Sequence, residues 1–463
     1  MSVKIGLEIH CQLTTRTKLF CSCSTEPAKP NENTCPICMG FPGSRPKVNK
    51  KAIEFGLRAA LAFNCRINKN FLFSRKCYFY PDLPKNYQIT QYEIPLAEDG
   101  FLMIDGKKIR IRRIHLEEDP AKIIHKKDHV LVDYNRSGVP LIEIVTEPDF
   151  TSAKEVRRFL EEISSILQHL GIFDPHREAA MRADINISIE GGNRVEIKNV
   201  TGFKEIEKVI NFEVVRQEHL KSIGMEVKRE TRYWDPEKKA TFSLRKKEFE
   251  EEYGYIFDPD LPPVEVSDEW IQKIKEELPE LPNLRVERFK EEYGLSHSIA
   301  QIIVYKDKAL ADFFEECAKI YKNYKKLANW IVVDLLKCLN WHGIGIKDSK
   351  VTPKGFVEFL KLIDDGTMSE RLAKEVIKTY VTTGEHPAEI VKKIGSTIRD
   401  EEILERIVES VIEENPQAAD DFKKGNYKAL NFLIGKVLEK TKGRAEPKVV
   451  KEMLKQKLEE SND

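Results

Sequence analysis

The sequence predicts an α+β fold, in which a region of mixed and antiparallel strands is followed by regions built only from helices. Runs of alternating apolar and polar residues dominate from residue 1 to about residue 265, as in strands with one buried face. Beyond Arg285 the apolar residues recur at helical spacing instead. Two proline-rich stretches, 258–263 and 278–283, separate the two patterns and indicate a boundary.

The composition is that of a globular protein long enough for two or three domains. Of its 463 residues, 41% are hydrophobic and 33% are charged. The 76 lysines and arginines equal the 76 aspartates and glutamates, so any contact with nucleic acid must come from a local basic patch. The sequence shows neither an apolar run of membrane-spanning length nor a signal-peptide pattern at its N-terminus, so a cytoplasmic location is expected.

The first predicted element is a strictly alternating strand, Val3–His10. Its odd-numbered residues are apolar and share one face. Glu8 and His10 project side by side from the opposite face, where Gly6 leaves room for a ligand. Solvent exposure is the more common explanation for such a polar face.

A cysteine cluster follows this strand. Four of the nine cysteines fall into two close pairs, Cys21 with Cys23 and Cys35 with Cys38. Two pairs of thiolates match a closed tetrahedral site for structural zinc, and in a cytosolic chain clustered cysteines indicate a metal before disulfides. The gap between Cys21 and Cys23 is tighter than usual, so reduced cysteines in loops are the alternative.

Two helices and a hairpin are predicted in the rest of the first region. The helices span Lys50–Asn64 and Ser152–Leu170, and Gly171 ends the second. The hairpin pairs Met181–Ile189 with Arg194–Lys198 across a glycine-containing turn. Its charged face either is solvated or lines a ligand site.

Two further strands place carboxylates among apolar residues. Glu118 continues the apolar face of one alternating strand, and Glu143 lies inside an apolar run. A buried carboxylate needs a cation or a hydrogen-bond donor. A hard divalent ion with oxygen ligands and one imidazole would satisfy these groups together, while unrelated salt bridges are the open alternative. The groups that would share such an ion are Glu8, His10, Glu118 and Glu143.

The helical region is predicted to begin beyond Arg285 and to end in a small, lysine-rich tail. Thr352-Pro353 and Asn415-Pro416 each place a cap before a proline at the first helical position. The segment Asn426–Leu458 should hold two helices around a turn at 442–447. Apolar residues at helical spacing between Ser298 and Leu339 include Ile302, Phe313, Ile320, Leu327, Ile331 and Leu335.

Standard nucleotide-binding motifs are missing from the sequence. It contains no G-x-x-x-x-G-K-[ST] loop, dinucleotide fingerprint or kinase glycine-rich loop. If the chain uses ATP, a divalent ion and scattered basic side chains must hold the phosphates.

Several long strings resemble the B subunit of the tRNA-dependent amidotransferases, the GatB family, and they follow one another in order from end to end. They are GLEIH at 6–10, KLFCSC at 18–23, CPICMGFPG at 35–43, RKCYFYPDLPKNYQITQ at 75–91, HLEEDPAK at 115–122, LVDYNRSGVPLIEIVTEPD at 131–149, MRADINIS at 181–188, RVEIKN at 194–199, DPDLPP at 258–263 and FLIGKVLEKTKGRAEP at 432–447.

The resemblance implies a cradle-shaped catalytic domain over 1–290, with a zinc loop at 21–38. It implies a helical domain over 291–405 and a YqeY-like tail domain over 406–463 that contacts tRNA. The implied activity is ATP-dependent phosphorylation of the side-chain carboxylate of Asp-tRNA(Asn) or Glu-tRNA(Gln), followed by amidation with ammonia. An amidase-type A subunit would release that ammonia from glutamine, and a small C subunit would complete a heterotrimer.

The resemblance also assigns roles to particular residues. The magnesium ligands of the family fall on Glu8, His10, Glu118 and Glu143, and Asp184 lies in a motif that lines the catalytic site. The candidates for binding the ATP phosphates, by motif position alone, are Arg75, Lys76 and Arg182.

Two other functions are compatible with parts of the sequence. The related E subunit acts only on Glu-tRNA(Gln) and carries a large inserted domain. In this sequence only some thirty residues separate Pro263 from Gly294, which leaves no room for such a domain. A non-catalytic, zinc-stabilised adaptor could bind tRNA through the lysine-rich tail. The adaptor would not need the carboxylates on the strands.

Overall fold

The computed structural model describes residues 2–246, 254–394, 401–423, 426–441, 444–445 and 447–460. The chain divides into two compact units, the first ending at Pro282 and the second beginning at Asn283. All described strands lie in the first unit and the second contains only helices among its described elements, which confirms the predicted α+β order. No helix in the described ranges has both the length and the apolar character needed to cross a membrane.

Most strands of the first unit form one nine-stranded sheet, in the order β14-β13-β12-β11-β1-β10-β7-β6-β2. Neighbouring strands are antiparallel except for the parallel pair β12–β13. β1 is therefore the central strand, flanked by strands that are distant in sequence. The strands are β1 (Val3–Gln12), β2 (Arg66–Ile67), β3 (Asn70–Phe71), β4 (Ser74–Cys77), β5 (Tyr87–Thr90), β6 (Ala97–Ile104), β7 (Lys107–Glu118), β8 (Lys122–His125), β9 (Val130–Asp133), β10 (Pro140–Thr146), β11 (Met181–Ile189), β12 (Val195–Thr201), β13 (Glu230–Asp235), β14 (Ala240–Lys246), β15 (Gly254–Phe257) and β16 (Val264–Glu265).

One face of the large sheet is apolar and packs against helices. Ile5, Leu7 and Ile9 of β1 are fully buried on this face, because alternate residues of a strand point the same way. The helices of this unit are α1 (Lys50–Ala62), α2 (Ala153–His169), α3 (Phe203–Ser222) and α4 (Asp268–Glu276). α1 packs on β7 and α3 packs on β11. The core of the first unit therefore lies between the sheet and its helices.

The ends of α2 follow the signals in the sequence. Ser152 accepts a hydrogen bond from the backbone N–H of Glu155 at 3.3 Å. The Glu155 carboxylate accepts one from the N–H of Thr151 at 2.9 Å, so two hydrogen bonds tie the first turn of α2 to the residues before it. Gly171 follows the last turn with φ +71°, a conformation that glycine adopts without steric cost.

The second unit is built from short helices around two apolar clusters, one from Val286 to Val391 and one from Leu404 to Leu458. The predicted boundary after residue 405 falls inside a helix that contributes Leu404 to the second cluster. The three-domain division therefore stays a prediction. The helices are α5 (Pro282–Tyr293), α6 (His297–Lys306), α7 (Lys308–Ile320), α8 (Tyr324–Asn329), a π-helical segment (Trp330–Leu335), α9 (Leu336–His342), α10 (Pro353–Asp364), α11 (Glu370–Thr383), α12 (Pro387–Ile394), α13 (Glu401–Glu414), α14 (Pro416–Lys423), α15 (Tyr427–Lys440) and α16 (Pro447–Glu460).

Some local predictions in the helical unit need correction. Ile302 and Ile320 have helical spacing but are 43% and 45% exposed, so they do not belong to the core. Thr352 caps α10 as predicted, accepting from the N–H of Gly355 at 3.2 Å. Asn415 instead donates a hydrogen bond from its side-chain Nδ2 to the carbonyl oxygen of Val411, in the preceding helix, at 2.8 Å. Of the predicted tail turn, Lys442, Gly443 and Glu446 lie outside the described residues.

Gly100 in β6 lies where the end of α1 approaches the sheet, which predicts a stability effect. A Cβ at this position would lie 2.8 Å from the Phe63 carbonyl oxygen and would collide with Cys65 Sγ. We expect Gly100→Ala to lower the free energy of unfolding of the first unit by about 1–3 kcal/mol, the usual cost of overpacking. Urea denaturation measures this change.

Gly435→Ala is the matched control. A Cβ on Gly435 in α15 meets nothing within 4 Å, and alanine favours a helix over glycine by about 1 kcal/mol. Equal unfolding midpoints for wild type and Gly100→Ala would contradict the close approach of α1 to β6.

Candidate active site and four-cysteine site

The sheet face opposite the helices carries charged side chains from five adjacent strands, β12, β11, β1, β10 and β7. Strand pairing places Asp184 of β11 beside Glu8 of β1. On the other side of β1, Glu143 of β10 lies beside His10, and His115 of β7 lies beside Glu143. Because directly paired residues point to the same face of a sheet, these side chains form one polar surface.

His10, Glu117 and Glu143 form the first cluster on this surface. His10 Nε2 lies 3.5 Å from Glu117 Oε1 and 3.6 Å from Glu143 Oε2. These separations are too long for strong hydrogen bonds, although the ligand atoms of all three residues lie within 4.8 Å of one another. One imidazole and two carboxylates in this arrangement fit a divalent cation.

The ionisation of this cluster reflects the competition between burial and charge. Burial alone would lower the pKa of His10, but the neighbouring Glu143 and Glu117 carboxylates raise that pKa to about 9. Burial would raise the pKa of Glu143, but His115 and His10 hold it well below its usual range. The pKa of Glu8 is raised, by burial and then by repulsion from Glu143 and Asp184. Burial and repulsion thus oppose ionisation of Glu8 more strongly than the nearby Lys198 favours it.

Glu8, Asp184 and Glu196 form a second cluster, whose ligand atoms also lie within 4.8 Å of one another. Lys198 Nζ lies 2.7 Å from Asp184 Oδ2 and 3.1 Å from Glu196 Oε1. Burial would lower the pKa of Lys198, but Asp184, Glu196 and Glu8 raise it well above its usual range. An ammonium group therefore compensates this half of the surface.

Glu118 does not join either cluster, contrary to the predicted set of four ligands. It directly follows Glu117, so strand alternation sends the two side chains to opposite sides. Lys85 Nζ lies 2.5 and 2.6 Å from the two Glu118 carboxylate oxygens, and the Ile89 N–H donates to Oε1 at 2.9 Å. Glu118 lines a separate cavity of about 170 Å³ beside the cysteine loop. Glu117 takes the place beside His10 and Glu143.

Arg182 is the one predicted phosphate-binding residue that shares the polar surface, since it pairs with His10 across β1 and β11. Its Nη2 lies 2.9 Å from Oδ1 of the buried Asp119. Gln12 Nε2 also donates to Asp119, at 2.8 Å. Asp119 therefore fixes the Arg182 guanidinium at the edge of the surface.

The other two predicted phosphate-binding residues lie on β4, in a different sheet. Arg75 Nε lies 2.9 Å from Asp258 Oδ2, and its Nη2 lies 2.9 Å from Asp260 Oδ2. The Nζ of Lys76 lies 5.9 Å from the centre of the Tyr78 ring. Arg75 thus joins the proline-rich segment to β4, and the structure does not bring either residue into the carboxylate clusters.

The four cysteines of the predicted zinc loop come together. Their sulfurs lie within 4.8 Å of one another, and the Sγ atoms of Cys35 and Cys38 are 3.8 Å apart. A tetrahedral ion with metal–sulfur bonds of about 2.3 Å holds its sulfurs about 3.8 Å apart. The cluster of Cys21, Cys23, Cys35 and Cys38 therefore can bind a metal ion.

Lys18 supplies positive charge beside these thiols. It is fully buried, and its Nζ lies 3.7 Å from Cys38 Sγ and 3.2 Å from the Tyr134 carbonyl oxygen. A hydrogen bond from Cys21, and then the charge of Lys18, lower the pKa of Cys38 to about 4. A buried ammonium needs an anion nearby, so Lys18 fits a cluster that carries thiolates.

Sequence reasoning missed several residues of the polar surface. His115 and Glu117 share one face of β7 and Glu118 lies on the other, so finding the residues beside Glu143 required the register of β7 with β10. Glu196 and Lys198 stand out in the sequence only as part of a charged strand face. Glu143 offered the useful signal. A residue that pairs directly with Glu143 on a neighbouring strand must point to the same face of the sheet.

Comparison with known proteins shows two family matches. Residues 3–272 match the GatB/GatE catalytic domain, and residues 312–458 match the GatB domain. Curated relatives, each named as the B subunit of an aspartyl/glutamyl-tRNA(Asn/Gln) amidotransferase, align over nearly their whole length. The relative from Sulfolobus acidocaldarius is 49% identical over 98% of this chain and 99% of its own. The relative from Thermotoga maritima is 46% identical over 98% of each chain.

The four-cysteine geometry predicts about one tightly held zinc ion per chain. We expect Cys38→Ser to lose this ion, because the variant removes a thiolate from a closed set of four ligands. Inductively coupled plasma mass spectrometry of freshly purified protein measures the metal content. Cys338→Ser is the control, since Cys338 lies in α9 outside the cluster. Wild-type protein without bound metal would contradict the prediction.

Proposed function

The chain belongs to the GatB family of amidotransferase B subunits, and from that premise we propose that it activates the side-chain carboxylate of a mischarged aminoacyl-tRNA with ATP. The substrates are Asp-tRNA(Asn), Glu-tRNA(Gln) or both, and the products are Asn-tRNA(Asn) and Gln-tRNA(Gln). The observation that best supports this proposal is the convergence of His10, Glu117 and Glu143 on the polar face of the sheet.

The proposed reaction has two steps. A side-chain carboxylate oxygen of the aminoacyl group attacks the γ-phosphorus of ATP, the bond to the β–γ bridging oxygen breaks, and ADP leaves. Ammonia then attacks the acyl carbon, inorganic phosphate leaves, and a proton is lost as the amide forms. Two anions must approach each other in the first step, so neutralising charge is the main catalytic task.

The polar surface can perform that task with its own residues and one ion. A magnesium ion held by His10, Glu117 and Glu143, with Glu8 beside it, would neutralise charge on the triphosphate. Glu118, the other ligand that the resemblance implies, is bound to Lys85 instead. Lys198 and Arg182 are two basic groups on this face that can neutralise the transferring phosphoryl group. Asp184 orients Lys198 through the contact at 2.7 Å.

The remaining parts of the proposal concern partners. We propose that ammonia comes from an amidase-type A subunit and that a small C subunit completes the assembly, in keeping with the names of the relatives, which designate them as parts of a larger enzyme. The tail helices α15 and α16 would contact tRNA. Their exposed lysines, including Lys448 and Lys451, suit sequence-independent contacts with phosphates.

The first test is conversion of labelled Asp-tRNA(Asn) and Glu-tRNA(Gln) with ATP, Mg²⁺ and ammonium, with and without the A and C subunits. We expect ATP-dependent formation of Asn-tRNA or Gln-tRNA, and glutamine should replace ammonium only when the A subunit is present. Thin-layer chromatography of the released amino acids measures the products. tRNA binding without conversion, even in the reconstituted complex, would favour the adaptor function and contradict the catalytic one.

Removal of one cluster carboxylate should separate catalysis from tRNA binding. We expect Glu143→Gln to lower the rate of amidation about 100-fold or more, the usual loss when one preorganised electrostatic group is removed, while the affinity for tRNA stays unchanged. Steady-state kinetics and filter binding measure the two quantities.

Glu147→Gln is the matched control for Glu143→Gln. Glu147 follows the same strand, but it forms a surface ion pair with Arg112 at 2.8 Å, and such pairs contribute about 0–1 kcal/mol. We expect this variant to keep wild-type activity. Equal rates for Glu143→Gln and wild type would exclude the polar surface as the catalytic site.

A further inference from the structure

Glu143 is held in the interior of the protein and depends on a nearby donor. Every residue of β10 is buried, and a carboxylate without a donor or cation in such a place is strongly destabilising. His10 Nε2 is 3.6 Å from Glu143 Oε2, which is beyond a good hydrogen bond. His115 Nε2 is only 2.8 Å from the same oxygen. Among these two histidines, His115 is therefore the one that fixes the Glu143 carboxylate.

His115 also approaches the second carboxylate of the cluster. Its Nε2 lies 3.7 Å from Glu117 Oε2, and the Thr90 hydroxyl donates to that oxygen at 3.3 Å. The other oxygen of Glu117 lies toward His10, at 3.5 Å. Glu117 thus has one oxygen directed to His115 and Thr90 and the other directed to His10.

The surroundings of His115 give it a fixed orientation. It is directly paired with Glu143 in the strand register, and its side chain is 3% exposed, against 16% for His10. His10 Nε2 joins the oxygens of Glu117 and Glu143 in the group of converging ligand atoms, and this group does not include His115. His115 therefore lies behind the carboxylates as a donor, whereas His10 faces the space that they share.

We propose that His115 is a positioning residue that orients Glu143 and Glu117 for a divalent cation bound with His10. This inference rests on the metal site of the proposed function and adds a residue to it. Partners that hydrogen-bond to metal ligands typically raise metal affinity about 10–100-fold. The contribution of His115 is to hold the two carboxylates in place before the ion arrives, so that less conformational freedom is lost on binding.

Binding of Mn²⁺ to the full chain tests this role without measuring catalysis, since Mn²⁺ is a paramagnetic substitute for Mg²⁺. We expect His115→Leu to raise the Kd for Mn²⁺ about 10–100-fold, measured by the electron paramagnetic resonance signal of free Mn²⁺. His115→Gln keeps an N–H donor at similar reach and should restore most of the affinity. His169→Gln, which changes a buried histidine of α2, is the control and should bind Mn²⁺ as wild type does.

Pulsed electron paramagnetic resonance separates positioning from direct ligation. We expect the Mn²⁺ signal to show coupling to a directly bound imidazole nitrogen, to keep that coupling in His115→Leu, and to lose it in His10→Leu. Loss of the coupling in His115→Leu would make His115 a ligand and overturn the proposal. Thermal unfolding without metal checks that each variant is folded. If His115→Leu does not fold, His115→Gln and a third variant, His115→Asn, provide the test.

Mn²⁺ binding to the wild-type chain distinguishes the proposed metal site from the role of His115. A wild-type chain without a Mn²⁺ site would overturn both the proposed metal site and the role of His115. Wild-type binding with unchanged affinity in both His115→Leu and His115→Asn would overturn the role of His115 alone. Weaker binding in these variants with recovery in His115→Gln supports the proposal.

Discussion

The burial of charge on one face of β1 is the constraint on which the candidate site depends. The other face of this strand is fixed by Ile5, Leu7 and Ile9, each of which contributes roughly 1.5–3 kcal/mol when fully buried. Strand alternation then forces Glu8 and His10 onto the opposite face, in the centre of a nine-stranded sheet. Charges held there are unfavourable unless other groups compensate them. The need to compensate these charges explains the arrangement of neighbouring side chains on this face.

Different groups compensate the buried charges in the two halves of the polar face. On the β11–β12 side, the Lys198 ammonium bridges Asp184 and Glu196, so the protein supplies its own cation. On the β7–β10 side, the partners of Glu117 and Glu143 are histidines, and an imidazole is a full cation only when protonated. A bound divalent ion would replace that proton. Glu8, between the halves, has a raised pKa, first because it is buried and then because the Glu143 and Asp184 carboxylates lie on either side of it. The asymmetry therefore favours the histidine side for the proposed ion.

Short-range pattern predicted most of the fold but only part of the site. Alternation identified the polar faces of β1 and β11, and apolar surroundings identified Glu143. Local pattern favoured Glu118, whereas the structure places Glu117 beside His10 and Glu143. The choice between these neighbours is sensitive because a shift of one residue reverses the face of a strand. That choice depends on the pairing of β7 with β10, which local pattern does not specify. The salt bridge between Arg75 and Asp258 joins segments 183 residues apart, and it likewise left no local signal. Ile302 and Ile320 recur at the spacing expected for the buried face of a helix, but both side chains are exposed.

The cysteine loop bears on the candidate site through the backbone, although it lies on no part of the polar face. The Leu19 N–H donates to the Gly138 carbonyl at 2.8 Å, and the Leu13 N–H donates to the Pro140 carbonyl at 2.9 Å. Gly138 has φ +89°, and a Cβ there would lie 3.3 Å from Lys18 Cδ. These contacts fix the start of β10, the strand that carries Glu143. Because Lys18 is also bound to Cys38, a metal that orders the thiolates would order this junction as well. A structural ion at the cysteines would thus stabilise the position of the Glu143 carboxylate, which it does not touch.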